Sequence, residues 1–129
     1  MSRPTVVLDA SAILAFLFEE PGAATVQGAV GRALVSAVNW AEIAQACLGR
    51  GADPVAARTA LTKIGLEIVP LDVADAEAAA AMRERTRPFG LSLADRCCLA
   101  LAARHDLPAL TTDTAWVDAT TPAHVVLIR

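Results

Sequence analysis

The chain has 129 residues, 55% apolar and 19% charged, with a formal net charge of −3. A chain of this size and apolar content is one domain able to bury roughly two-thirds of its unfolded surface, which excludes disorder. The longest apolar runs, Ala12 to Phe18 and Cys97 to Ala103, fall far short of the ~20 residues that cross a membrane, and the negative balance argues against a protein that grips nucleic acid by bulk basicity.

Thr5-Val6-Val7-Leu8 reads as a buried strand, a short β-branched run stopped by Asp9. Asp9 also breaks the first apolar stretch, and no small-residue cleavage site follows, so no secretion signal is expected. Ser11 to Phe18 reads as a helix capped by Asp9 or Ser11. Pro21-Gly22 breaks the chain before a short helix to about Val30. Ala33 to Ser36 reads as a strand, and Asn39 to Arg50 as a helix ended by Gly49-Arg50-Gly51. Asp53 caps the next helix, with Pro54 in its first turn and Gly65 closing it. Leu66 to Val69 is the third strand. Asp72 caps a long Ala-rich helix to about Thr86, and Pro88-Phe89-Gly90 reads as a loop. Ser92 caps Leu93 to His105; the strands Ala109 to Thr111 and Val125 to Ile128 complete the chain.

Strands alternate with helices, and the end strands are continuously apolar, as in a parallel sheet covered on both faces. The expected fold is a single three-layer α/β/α domain over residues 1–129, with a mainly parallel central sheet. The 29 alanines favour helix. Cys47, Cys97 and Cys98 fit neither zinc spacing nor a disulfide framework and read as reduced core thiols of a cytoplasmic protein.

Four carboxylates stand in unusual places. Asp9 follows the first strand, and Asp113 follows Ala109 to Thr111. Ligands of open parallel sheets bind beyond such strand ends. Glu42 and Asp95 lie one turn into the helices opened by Asn39 and Ser92, so they can face the same crevice. Each has a plain structural reading. Asn39-x-x-Glu42 and Ser92-x-x-Asp95 resemble capping boxes, Asp9 could cap its helix, and Asp113 could cap a turn ending near Trp116. A capping amide compensates one acid, not four that converge among apolar segments. Converging carboxylates repel, and a hard cation such as Mg²⁺, or Mn²⁺, removes that repulsion with oxygen ligands. His105 and His124 are isolated and read as surface residues, so zinc and iron are not expected.

Four segments resemble the PIN-domain ribonucleases, of the VapC type found as the toxin of bacterial VapBC toxin–antitoxin modules. They are Val7-Leu8-Asp9-Ala10-Ser11-Ala12, Ser36-Ala37-Val38-Asn39-Trp40-Ala41-Glu42, Leu91-Ser92-Leu93-Ala94-Asp95-Arg96 and Leu110-Thr111-Thr112-Asp113-Thr114-Ala115-Trp116. The resemblance implies a Mg²⁺- or Mn²⁺-dependent endoribonuclease acting on structured RNA such as tRNA or rRNA. It implies acidic roles for Asp9, Glu42, Asp95 and Asp113, and hydroxyls from Ser11 and Thr112. It further implies a homodimer and an antitoxin whose segment fills an apolar groove, with Phe16 and Trp40 as candidate groove residues. Thr114 stands where relatives often carry a basic residue.

Asp9 and Asp95 are the expected direct metal ligands, with Glu42 and Asp113 acting through waters or a second ion. Arg83, Arg85, Arg87 and Arg96 flank the loop before Asp95 and are candidate phosphate contacts, or else an ordinary solvated helix end. Two other classes stay open: a non-catalytic PIN-fold module for RNA or protein, and a phosphotransfer domain. The second fits poorly, because Ser11 stands where a phosphatase needs a second Asp and Lys63, the one lysine, lies inside a helix.

Overall fold

The computed structural model describes residues 3–129. Among them are five strands: β1 (Val6–Leu8), β2 (Ala33–Ser36), β3 (Glu67–Val69), β4 (Ala109–Thr111) and β5 (Val125–Leu127). All pair in parallel, in the order β3-β2-β1-β4-β5. Eight α-helices occur among the described residues: α1 (Ala10–Leu17), α2 (Ala23–Gln27), α3 (Ala37–Gly49), α4 (Pro54–Ile64), α5 (Val73–Ala81), α6 (Arg83–Thr86), α7 (Leu93–His105) and α8 (Ala115–Asp118).

Successive strand residues face opposite sides, as the pleat requires. Val7, Leu34 and Ala109 join one core with Ala79, Leu99, Leu101 and Trp116. Leu8, Val35 and Leu110 join the other with Ile13, Ile43 and Leu61. Helices therefore cover both faces, giving the three-layer α/β/α architecture, with a sheet that is wholly parallel.

Parallel pairing decides where the helices start. The chain must run back between strands, so α1 and α3 begin at the carboxyl ends of β1 and β2. Helix α7 feeds β4 and begins at that same end. The order also puts β2 and β4 on opposite sides of β1, so the β1–β4 boundary is the switch point where α/β folds open a crevice.

Three elements differ from the sequence reading. Helix α3 starts at Ala37 because the Ser36 hydroxyl, not Asn39, caps it, accepting the Val38 N–H at 3.3 Å. The Ala-rich helix is two pieces that meet at Met82. The Arg96 guanidinium explains the break: Nη1 takes the Ala79 carbonyl at 3.0 Å, and the Met82 N–H closes a tighter turn onto the same oxygen. A side chain inserted into the helical ladder is a common cause of a kink. Where the sequence suggested only a turn ending near Trp116, the short helix α8 forms.

Gly65 ends α4 with φ +128°, and a Cβ there would overlap the Gly31 carbonyl oxygen. Only glycine lets the α4–β3 connection pass this close to the preceding turn.

Candidate functional site

Asp9 is the residue after β1 and the N-cap of α1. It is 4% exposed. Its Oδ1 accepts the Ala12 N–H at 2.8 Å, and its Oδ2 accepts the Thr111 hydroxyl at 2.6 Å. The Ser11 Oγ lies 2.7 and 2.9 Å from the two oxygens. The hydroxyls are themselves oriented: Ser11 Oγ accepts the Thr112 N–H and Thr111 Oγ1 accepts the Asp113 N–H. The turn after β4 thus holds the Asp9 carboxylate through two hydroxyl relays.

Burial pushes the Asp9 carboxyl up to about 6, although its donors from Thr111, Ala12 and Ser11 pull the other way; the charge of Asp95 adds to the rise. Asp95 is half-buried in the first turn of α7. It completes a capping box: its Oδ2 accepts the Ser92 N–H at 2.9 Å, and its own N–H reaches the Ser92 hydroxyl at 3.1 Å. The capping role leaves Oδ1 of Asp95 without a hydrogen bond among the described residues. Burial raises the Asp95 carboxyl and repulsion from Asp113 adds, against the Ser92 donors and the Trp116 indole N–H.

Asp113 is exposed beyond β4, and its Oδ1 accepts the Ala115 N–H at 2.9 Å, which opens α8. Glu42 is exposed on α3, and its Oε1 accepts from the Asn39 amide at 3.0 Å. Asp9, Asp95 and Asp113 therefore lie at one end of the sheet, where Asp9 interacts with Asp95 and Asp95 with Asp113. Glu42 is tied to that end only through Asn39, which also donates to the Ala94 carbonyl. Among the described residues, no three His, Cys, Asp or Glu side chains close on a single point.

The PIN domain family model matches residues 6–121. The chain belongs to the PIN domain family. No curated protein matches it. Solved structures share the PIN fold at low identity. One is a toxin–antitoxin complex from Klebsiella pneumoniae, 22% identical over 93% of this chain and 99% of that one, with TM-score 0.70. Another is DNA-bound VapBC from Salmonella typhimurium, 13% identical over 98% and 99%, with TM-score 0.71. A third is VapBC-5 from Mycobacterium tuberculosis, 24% identical over 96% and 99%, with TM-score 0.59.

In this PIN domain the second hydroxyl on Asp9 comes from Thr111, not from Thr112, whose backbone N–H serves Ser11 instead. Thr111 is the last residue of β4 and fully buried, so its side chain points in beside β1. Asn39 is equally buried and lies within α3 rather than opening it. Trp116 is 1% exposed, and its indole N–H makes no hydrogen bond but lies near enough to Asp95 to favour the charged carboxylate. Arg96 is removed from the candidate phosphate contacts, because it is buried and committed to the Ala79 and Ser92 carbonyls. Arg83, Arg85 and Arg87 are exposed. The three cysteines are buried thiols, and burial above all pushes Cys98 well up, so it stays protonated. Both histidines are exposed.

The donor set suits a hard cation. A carboxylate offers about four acceptor positions, and Asp9 meets three protons from Ala12, Ser11 and Thr111, which leaves one position. Asp95 keeps Oδ1. Mg²⁺ binds through one or two carboxylates and otherwise keeps water, so a pair of acids is sufficient where three do not converge.

Proposed function

We propose that this chain is a metal-dependent endoribonuclease, a VapC-type toxin acting on structured RNA such as tRNA or rRNA and neutralised by a cognate antitoxin. Residues 1–129 act as one nuclease domain, with Asp9, Glu42, Asp95 and Asp113 as catalytic residues. Asp9 and Asp95 bind Mg²⁺, or Mn²⁺ in its place. Asp9 carries this reading. A carboxylate buried at a switch point, desolvated yet still supplied with donors, is costly unless a cation shares it.

Asp9 and Asp95 hold and orient the cation. Glu42 and Asp113, both exposed, face the solvent side, where they accept protons from waters near the phosphate. A bound divalent cation lowers the pKa of its water and neutralises charge developing on the phosphate. Ser11 and Thr111 keep the Asp9 carboxylate from rotating.

The toxin reading is supported by the toxin–antitoxin complexes that share the fold, the family membership and the four acids. Phe16 is half-buried and lines a surface hollow between α1 and α2 with Leu17, Ala23 and Ala24; it is the residue proposed for antitoxin contact there. Trp40 is half-buried against the core of α1 and α3 and does not line that hollow. The protein is proposed to act as a cytoplasmic homodimer. Among the described residues no helix is long and apolar enough to cross a membrane.

The test is incubation of purified chain with total tRNA and rRNA, with Mg²⁺, Mn²⁺ or EDTA, beside Asp9→Asn and Asp95→Asn. Cleavage should require the cation and vanish in both variants. RNA binding without cleavage would place the chain among non-catalytic PIN modules. Light scattering and co-expression with a neighbouring antitoxin reading frame test the assembly.

A further inference from the structure

Asn39 is fully buried where α3 meets the start of α7. Its Nδ2 donates to Glu42 Oε1 at 3.0 Å and to the Ala94 carbonyl at 3.1 Å. Ala94 immediately precedes Asp95. The amide orientation is dictated by chemistry: turned over, Oδ1 would face two acceptor oxygens. Oδ1 itself has no partner.

A buried amide with an unpaired oxygen is a costly choice at a helix–helix contact that leucine could fill. Its two donated bonds explain what it does. One holds an otherwise exposed glutamate. The other holds the backbone unit that carries Asp95. We propose that Asn39 is a positioning residue that sets the Glu42 carboxylate against the α7 end bearing Asp95. This rests on the metal-site reading above and extends it to a residue that touches no substrate. Aspartate could not replace it, because it would set a charge against Glu42 and an acceptor against the Ala94 carbonyl.

The test titrates Mn²⁺ by electron paramagnetic resonance into the full-length wild type, Asp9→Asn, Asn39→Leu, Glu42→Gln and the double variant Asn39→Leu/Glu42→Gln. Thermal midpoints are measured alongside. Groups that orient ligating side chains typically cost ~10–100-fold in metal affinity when removed. Asn39→Leu should weaken Mn²⁺ about tenfold, the low end of that range, with its midpoint unchanged or raised. In the Glu42→Gln background the loss should be smaller, since only the bond to the Ala94 carbonyl remains to be removed. Should Asn39→Leu fail to fold, Asn39→Ser, which keeps one donor, takes its place and should lose less affinity. A second readout needs no metal. The Asn39 side-chain amide resonances should be slow to exchange in the wild type and shift in Glu42→Gln.

Wild-type affinity in Asn39→Leu beside weakened binding in Glu42→Gln overturns the positioning role while sparing the metal site. So does a fully additive loss in the double variant. Unchanged Mn²⁺ binding in both Asp9→Asn and Glu42→Gln overturns the metal site and the positioning role together. Amide resonances of Asn39 that ignore Glu42→Gln overturn the contact itself.

Discussion

The Thr111 hydroxyl donates to Asp9 Oδ2 at 2.6 Å while its oxygen accepts the Asp113 N–H at 3.1 Å. One side chain thus ties the last residue of β4 to the acid after β1 and to the loop carrying the acid after β4. Thr111→Val keeps the shape and removes both bonds. It leaves a buried carboxylate one donor short and a backbone N–H unpaired, a loss of about 1–3 kcal/mol. Urea unfolding at pH 7.5 should show that loss, and Thr111→Ser should recover most of it. A valine variant as stable as wild type would mean that the hydroxyl only fills space.

The contribution of Asp9 to stability should fall as pH rises through the acid range. Burial holds Asp9 at about 6 in the folded protein, whereas an unfolded aspartate ionises near ~3.9. Between these values the folded chain keeps a proton that the unfolded chain has lost. Asp9 is therefore neutral for stability below the lower value and increasingly unfavourable up to about 6. The shift corresponds to about 3 kcal/mol. The raised Asp95 carboxyl acts in the same direction. The difference in melting temperature between metal-free wild type and Asp9→Asn, followed from pH 4 to pH 7.5, isolates the effect. Asp9→Asn should gain on the wild type across that range, and a flat difference would contradict the burial argument.

A divalent cation should reverse this penalty. It binds the ionised carboxylates of the folded state, so its stabilisation grows with pH where protons compete less. At a hundredfold excess over the dissociation constant the gain is about 2.7 kcal/mol. Mn²⁺ should therefore raise the wild-type midpoint at pH 7.5 far more than at pH 5. Asp9→Asn should show little rise at either pH, so that the variant stable without metal is the one that gains nothing from it.

The sequence made the framework readable wherever local signals and burial agreed. Asp53-Pro54 and Gly65 bound α4 as expected, and Ser92 bounds α7. The apolar end strands announced a parallel sheet, and parallel pairing alone then carries Asp9, Asp95 and Asp113 to one end. What stayed hidden depends on contacts between distant segments. Arg96 breaks the Ala-rich helix from 17 residues away in sequence, which no local propensity reports. Thr111 and Thr112 are equivalent until the strand decides which one points toward β1. Asn39 looks like a cap because it stands three residues before Glu42 in a capping-box spacing, while Ser36, the last strand residue, caps the helix three residues earlier. No local signal separates a buried Asn39 from an exposed cap, because asparagine is favoured at the cap itself.

The arginines near the site should separate into two kinds. Arg96 lies buried, donating to the Ala79 and Ser92 carbonyls. Arg96→Met leaves both oxygens short of a donor and should lower stability by about 1–3 kcal/mol, without touching how RNA binding depends on salt. Arg83, Arg85 and Arg87 are exposed, and Arg87 sits only 4.0 Å from Glu84 in a loose surface pair. Where they contact phosphate, each lost contact flattens the slope of log affinity against log salt by roughly 0.7 for a single strand. Reversing all three to Glu should weaken tRNA binding by catalytically inactive Asp95→Asn protein and flatten that slope by about 2. Filter binding from low to physiological salt measures both. An unchanged slope would assign these side chains to an ordinary solvated helix end, favoured there by the helix dipole, and would send the RNA path to another face of the crevice.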